Sequence, residues 1–304
     1  MSRHVAVLMG GWSAEREVSL VSGEACARAL EARGYRVSRI DVGRDLPQRL
    51  AELRPDCCFN ALHGRMGEDG RVQGLLDLLG IPYTHSGVLA SALAMDKPMA
   101  KRLFTSAGLR CPEGVETTPA RLAREGSPLP PPFVVKPACE GSSVGVHIVT
   151  DGDLGPVLAR NSLEPHDRLL VETYVPGREL TCAVLDDRPL AVTEIAPESG
   201  FYDYRAKYTE GLARHLVPAP LPEAIYERVM AWALTAHRVL GCRGVSRADF
   251  RFDERYGADG LYLLEVNTQP GMTPLSLVPE QAAHCGIAFE DLVVRLVEEA
   301  RCDR

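Results

Sequence analysis

No pair of cysteines in this chain is spaced as CxxC, although nine cysteines are present. The thiols are scattered, with only Cys57 and Cys58 adjacent, and that excludes a disulfide framework or a zinc ribbon. Free thiols in a reducing compartment are expected instead. No run approaches the ~18 apolar residues that a membrane span needs. The first apolar stretch, HVAVLM, is too short for the core of a secretion signal. Positive charge is not in excess: 34 Lys and Arg against 41 Asp and Glu leave a net charge of −7. That argues against nucleic acid or an anionic membrane as partner. Internal repeats and low-complexity tracts are missing too. With 45% hydrophobic and 25% charged residues over 304 positions, a soluble cytoplasmic protein of two or three domains is expected.

What is present begins with alternation. HVAVLM (4–9) ends in Gly10-Gly11, and the helical stretch behind it has Ser13 as its expected N-cap and Gly34 as its stop. YRVSRIDV and DCCFNAL read as strands, 47–53 and GRVQGLLDLLG as helices, and IPYTHSG as the opening of another crossover. This predicts a parallel α/β domain whose loops 10–17 and 63–70 lie on the carboxyl edge, where such sheets bind ligands. Gly10-Gly11 lacks the third glycine of a dinucleotide fingerprint, and Asp41 is the only acid in the ribose position. A small anion at the helix start is favoured over a dinucleotide. A plain strand-to-helix turn is the alternative.

DKPMAKRLFTSAGL reads as an amphipathic helix with Lys101 and Arg102 on a solvated face, and 109–132 as a proline-rich loop. Next come strands over 133–136 and 144–149 around a Gly-Ser tip, 140–143. The amides and hydroxyls of such a tip suit phosphate oxygens, with Lys97 and Lys136 as point charges, although a simple turn has the same composition. RLLVETYVPGRELTCAVL reads as two strands joined at Pro176-Gly177, with Glu172 and Glu179 near the joint. GFYDYRAKYTEG has no clean period and reads as a loop. LPEAIYERVMAWALTAHRVLG is a helix, and another is expected over 289–301. Cys139, beside the Gly-Ser tip, is expected to be a bystander.

The chain is organised around RGVSRADFRFDERYGADGLYLLEVNTQPGMTPLSL, 243–277. Two alternating runs, Val245–Phe252 and Leu261–Asn267, flank DERYGADG, which reads as a turn. A fold about Gly257 sets Asp249 opposite Glu265 and Arg247 opposite Asn267, because residues two apart share a strand face. Facing carboxylates repel unless positive charge lies between them. Two carboxylates and an amide oxygen suit Mg²⁺, which takes its other ligands from water and phosphates. Two solvated faces of an exposed hairpin are the alternative. Gln269-Pro270-Gly271 ends the second strand, as fits close backbone approach to a ligand.

GGWSAEREVSL, NALHGRMGEDGRVQGLL, MDK, VVKPACEGSSVGV, FYDYRAKY, SRADF and LLEVNTQPGMTPLSLVP, in this order, span nearly the whole chain. In these motifs the sequence resembles the D-alanine–D-alanine ligases of the ATP-grasp superfamily. The resemblance implies an α/β and α+β fold of three domains: an N-terminal α/β domain (1–95), a small central α+β domain (96–178) and a C-terminal α+β domain (179–304). ATP is held between the last two. It implies that the carboxylate of one D-alanine attacks the γ-phosphate and that the amine of a second attacks the resulting acyl phosphate. It makes Asp249, Glu265 and Asn267 the ligands of two Mg²⁺ ions, with Mn²⁺ as a substitute.

Residue by residue, the resemblance assigns Lys97, Lys136, Ser142, Ser143 and Lys207 to the phosphates of ATP. Glu172, Tyr174 and Val175 go to adenine and Glu179 to the ribose. Arg247 and the Gly271 amide face the oxyanion, Glu15 and His63 the first D-alanine, and Ser276 and Leu277 the carboxylate of the second. Glu15, Ser142 and Tyr208 form the set that links a lid loop to the N-terminal domain. His63 is equally readable as a purely structural hydrogen-bonder. Thr173 stands where a lysine often faces adenine, and Gln269 and Pro274-Leu275 differ from the commonest forms near the second substrate. Partners implied are D-alanine, ATP and a second copy in a homodimer. A ligase making D-alanyl-D-lactate or D-alanyl-D-serine is the nearest rival, and Tyr208 argues against the former. A regulator without catalysis would lack Arg247 or a metal ligand, and an oxidoreductase would need the missing glycine fingerprint.

Overall fold

The strand His4–Met9 (β1) is buried at every position, as expected of a strand paired on both edges and covered on both faces. The computed structural model describes residues 2–141, 145–159, 163–197 and 213–303. In it β1 lies between Arg36–Asp41 (β2) and Cys57–Asn60 (β3), and both pairings are parallel. The expected crossover at IPYTHSG supplies only Tyr83, which bridges Cys58 on one side and Arg301 on the other. Helix Arg16–Ala32 is capped at Glu15, not Ser13, whose hydroxyl instead accepts from the Glu15 amide at 3.2 Å.

The stretch 109–132 is more than a loop. It holds the strand Gly114–Thr117 (β4) and the helix Pro119–Glu125, whose N-cap Thr118 accepts from the Arg121 amide and is followed by proline. With Phe133–Pro137 (β5), His147–Val149 (β6) and Leu169–Thr173 (β7), β4 forms an antiparallel sheet in the order β4–β7–β5–β6. Leu122, Phe133, Val135 and Val171 give it its own small core.

The third sheet contains Arg178–Leu185 (β8), Arg188–Pro197 (β9), Ala213–Leu216 (β10), Val245–Phe252 (β11) and Leu261–Asn267 (β12), ordered β10–β9–β8–β11–β12. β7 and β8 therefore belong to different sheets, although Pro176-Gly177 makes them look like a hairpin in sequence. At the crossing Gly177 has φ +97°, and an added Cβ would lie 2.2 Å from the Phe252 carbonyl oxygen. Only glycine fits there.

Along β11 the alternation divides the strand. Ala248, Phe250 and Phe252 pack against Val229, Ala233 and Ala236 of helix Glu223–Leu240. Each buried phenylalanine contributes about 1.5–3 kcal/mol. Arg247, Asp249 and Arg251 take the opposite face. A separate core joins Val5, Val7 and Leu30 to Leu292 and Leu296 of helix Phe289–Glu298, and to Ala183, Val245 and Met272 from the third sheet and its following loop. The N-terminal sheet and the β11–β12 region are thus set against each other by shared apolar packing. All nine cysteines are free, and among the described residues no helix is long and apolar enough to cross a membrane.

His237, in the last turn of its helix, is buried with Nδ1 2.8 Å from the Ser246 hydroxyl. Burial pulls its pKa down from 6.5 to about 4. The unfolded chain then binds a proton that the folded one rejects between those two values, so stability falls as pH drops from about 6.5 to about 4. The same burial holds His63 at about 4 and His85 at about 3. Each such group can cost up to about 1.4 kcal/mol per pH unit in that window. His237→Gln should flatten the dependence of Tm on pH between 6.5 and 4. An unchanged slope in thermal melts of the variant would refute the assignment.

Candidate active site

β11 and β12 pair as the alternation predicts, with Arg247 opposite Asn267 and Asp249 opposite Glu265. Beyond that point the register shifts, Phe250 facing Leu263 and leaving Leu264 unpaired. This one-residue bulge has a purpose that can be read from burial. Strict alternation would put Leu261, Leu263, Glu265 and Asn267 on one face. The bulge lets Leu261 and Leu263 enter the core while Glu265 and Asn267 turn to the cleft. The Leu263-Leu264 doublet is its mark in the sequence.

Positive charge does lie against the facing carboxylates, and the protein supplies it. Arg247 grips Asp249 through Nε and Nη2, at 2.8 and 2.7 Å, and the Thr181 hydroxyl donates to the same carboxylate at 2.7 Å. Lys97 lies 3.2 Å from Glu265 and donates to the Glu140 carbonyl at 2.6 Å. Burial alone would lower the Lys97 pKa, but Glu265, Glu172 and Glu68 outweigh it and raise it. Asp96 starts this helix by accepting from the Met99 amide. Among the described residues no three His, Cys, Asp or Glu side chains converge as a metal cage. Two carboxylates and one amide oxygen fit an ion that completes its shell with phosphate and water. The Asn267 oxygen accepts from the Gln269 amide at 2.8 Å, which orients it and leaves its second lone pair.

Two clefts meet at these residues. One, of about 860 Å³, runs between the second and third sheets and is lined by Lys136, Glu172, Tyr174, Val175 and Glu179. Val134, Val146, Ile148 and Leu264 supply apolar walls on which a flat ring can lie. Glu179 is 3.4 Å from Arg251, which also donates to the Val175 carbonyl. Arg251 escaped the sequence reading, although the spacing Arg247-x-Asp249-x-Arg251 puts it on the same face. Lys101 corrects that reading: its side chain is only 11% exposed and ion-paired with Glu172, whose other oxygen is taken by Lys136. Burial raises the Glu172 carboxyl pKa, but Lys136 and Lys101 together bring it below the usual carboxylate range.

The second cleft, of about 910 Å³, extends from Lys97, Asp249 and Glu265 to Glu15, His63, Gly271, Ser276 and Leu277. The start of helix Arg16–Ala32 presents Glu15 itself to the cleft, so the place suits an ammonium and not the small anion expected from Gly10-Gly11. Asp41 is engaged by two guanidinium nitrogens of Arg16, Nη1 and Nη2, at 2.7 and 2.6 Å. Glu68, which the sequence gave no reason to single out, is also buried in the cleft, and burial and the neighbouring Glu15 raise its pKa. Ser276 caps helix Leu277–His284 and accepts from the Thr273 amide at 2.9 Å. Its hydroxyl lies 2.8 Å from where a side chain on Gly271 would begin.

The loop that carries the Gly271 amide is held by residues from the N-terminal part of the chain. His63 donates from Nδ1 to the Gln269 carbonyl at 3.1 Å, since that oxygen can only accept. Its Nε2 then accepts from Ser22, whose oxygen accepts from the Met272 amide at 3.2 Å. Gln269 is not among the residues that line this cleft. It is buried, donates to the Asn60 carbonyl and accepts from the Asn60 amide at 3.1 Å. Gln269→Ala is expected to lower stability by about 1–3 kcal/mol, because it removes two hydrogen bonds to buried groups of Asn60. An unchanged urea midpoint would contradict this. Ser142, Ser143, Lys207 and Tyr208 lie outside the described residues.

Known proteins match this chain along its length. Residues 48–86 match the family model described as D-ala D-ala ligase N-terminus, and 109–298 the one described as D-ala D-ala ligase C-terminus. A D-alanine–D-alanine ligase of Cereibacter sphaeroides is 60% identical over 99% of the chain and 96% of its own length. One from Methylorubrum extorquens is 59% identical over 100% of each. The crystal structure of a Bacillus anthracis D-alanine–D-alanine ligase superposes with a TM-score of 0.83 at 34% identity, covering 98% of this chain and 97% of that one. The same enzyme complexed with ATP gives 0.82 at 33% identity.

Proposed function

The chain belongs to the D-alanine–D-alanine ligase family, and from that premise we propose that it joins two molecules of D-alanine, with ATP converted to ADP and phosphate, to make a peptidoglycan precursor. One observation carries the reading: Arg247, Asp249, Glu265 and Asn267 share one strand-pair face at the junction of two clefts. One cleft suits a nucleotide and the other a small amino acid.

ATP lies along the cleft between the second and third sheets, adenine by Glu172, Tyr174 and Val175, ribose by Glu179. Its phosphates reach Lys97 and Lys136. Asp249, Glu265 and Asn267 would hold two Mg²⁺ ions, or Mn²⁺. When bound, such ions neutralise charge on the phosphates during transfer. Glu15 holds the ammonium of the first D-alanine, so that its carboxylate faces the γ-phosphate across Arg247. The second D-alanine places its carboxylate at Ser276 and Leu277, where the start of an eight-residue helix favours negative charge. After losing a proton its amine attacks the acyl phosphate. Arg247 and the Gly271 amide stabilise the oxyanion that forms, and phosphate leaves.

Neutral His63 takes no part in proton transfer in this reading. It fixes the loop of Gly271. Ser142, Ser143, Lys207 and Tyr208 close the site in roles that rest on their motifs alone, with exclusion of water protecting the acyl phosphate. The division 1–95, 96–178 and 179–304 is supported by the separate sheets. The work is cytoplasmic, in keeping with nine free thiols. The assembly is a homodimer, which light scattering on the purified protein tests.

The deciding experiment measures phosphate release with ATP and Mg²⁺ for D-alanine, L-alanine, D-serine and D-lactate, with the product mass determined. Strong turnover with D-alanine giving the dipeptide mass supports the reading. A mixed product with D-serine or D-lactate moves the specificity. No turnover with any of them would sink the enzyme assignment.

A further inference from the structure

Lys101, Glu172 and Lys136 form a largely buried triad, the lysines on opposite oxygens of one carboxylate, with side chains only 11%, 3% and 8% exposed. Their origins differ. Lys101 comes from helix Lys97–Ser106, one turn beyond Lys97, Lys136 from β5 and Glu172 from β7. Lys136 and Glu172 line the nucleotide cleft, whereas Lys101 approaches Glu172 from behind it. Gly114, opposite Glu172 on β4, makes room for this approach. A Cβ there would lie 2.7 Å from the Lys101 ammonium and 3.2 Å from Glu172 Cγ.

Two cations share one anion, so one of them is in surplus. We propose that Lys101 is a positioning residue for the nucleotide: it neutralises Glu172 from behind, freeing Lys136 to turn to the phosphates of ATP while Glu172 stays anionic to accept from the 6-amino group of adenine. The proposal rests on the reading of this cleft as the ATP site. Without Lys101, departure of Lys136 would strand a buried carboxylate, and Glu172 would hold Lys136 back. Phosphate grip and base selection are thereby coupled through one side chain that touches neither. A 6-oxo purine would present an acceptor to the same carboxylate and be disfavoured.

The test compares the wild type with Lys101→Met and Lys101→Arg, using initial rates with ATP and with inosine triphosphate, and calorimetric titration with ATP. For Lys101→Met, affinity for ATP should weaken about tenfold, with KM for D-alanine within about twofold and a reduced preference for ATP over inosine triphosphate. Lys101→Arg, which keeps the charge, should recover most of the loss. Unchanged ATP affinity in folded Lys101→Met would overturn the proposal. So would equal rises in KM for both substrates with unchanged base preference, since that pattern reports a merely structural role. Should Lys101→Met not fold, Gly114→Ala, which pushes the ammonium off Glu172, must weaken ATP in the same direction or the proposal fails. Wild-type protein that binds ATP without ligating D-alanine would discredit the ligase reading alone. Wild-type protein that does not bind ATP would discredit both.

Discussion

Replacing Arg247 by alanine is expected to lower kcat by about 10²- to 10³-fold, equivalent to about 2.7–4 kcal/mol of transition-state stabilisation, with a much smaller change in KM for ATP. The reason lies in where its charge is fixed. The guanidinium is held by two bonds to Asp249, which Thr181 holds in turn, so in the proposed reaction it would meet a developing oxyanion without reorganising. Arg247→Lys keeps the charge but not the fork, and should fall between wild type and alanine. Steady-state phosphate release is the measurement, with circular dichroism to verify folding. A folded Arg247→Ala protein retaining kcat within about fivefold of wild type would remove the oxyanion from its role.

Glu265→Gln should have an effect of similar size but a different signature. It takes away one of the two carboxylates that face each other across β11 and β12, leaving Asp249 and the Asn267 oxygen. The Mg²⁺ concentration for half-maximal rate should rise at least about tenfold, and the maximal rate should drop by about 10²-fold or more. Lys97 loses the negative charge at 3.2 Å as well, so a modest fall in Tm accompanies the change. Titration of phosphate release with Mg²⁺ and then Mn²⁺ separates these effects. A reduced rate at an unchanged metal midpoint would assign Glu265 to Lys97 rather than to a metal.

The hairpin at the centre of the site was legible because two local rules agree. Residues two apart share a face, and a turn centred on Gly257 fixes which residues oppose one another. Arg247, Asp249, Glu265 and Asn267 followed from those rules alone, and the register matches. The bulge was not anticipated, although the Leu263-Leu264 doublet breaks the alternation. Lys101 was misread because a lysine on an amphipathic helix is most often solvated. Its place four residues after Lys97, on the same face, was the available signal. The proline-rich stretch hid β4 and a helix, since proline at a helix start looks like a loop until the cap at Thr118 is recognised.

By itself the sequence determined the strand–helix alternation of the N-terminal part, the cleft-facing residues of β11 and β12, the Arg247–Asn267 and Asp249–Glu265 pairs, and the motifs that make the family recognisable. These depend on periods of two and 3.6 residues and on turn chemistry, all short in range. Only the tertiary structure decided that β7 and β8 part into different sheets, that Gln269 locks onto Asn60 across 209 positions, and that two lysines share Glu172. Those contacts join residues far apart in the chain. Their partners are chosen by which surfaces the shared cores bring together, and burial then makes any polar group without a partner too costly to tolerate.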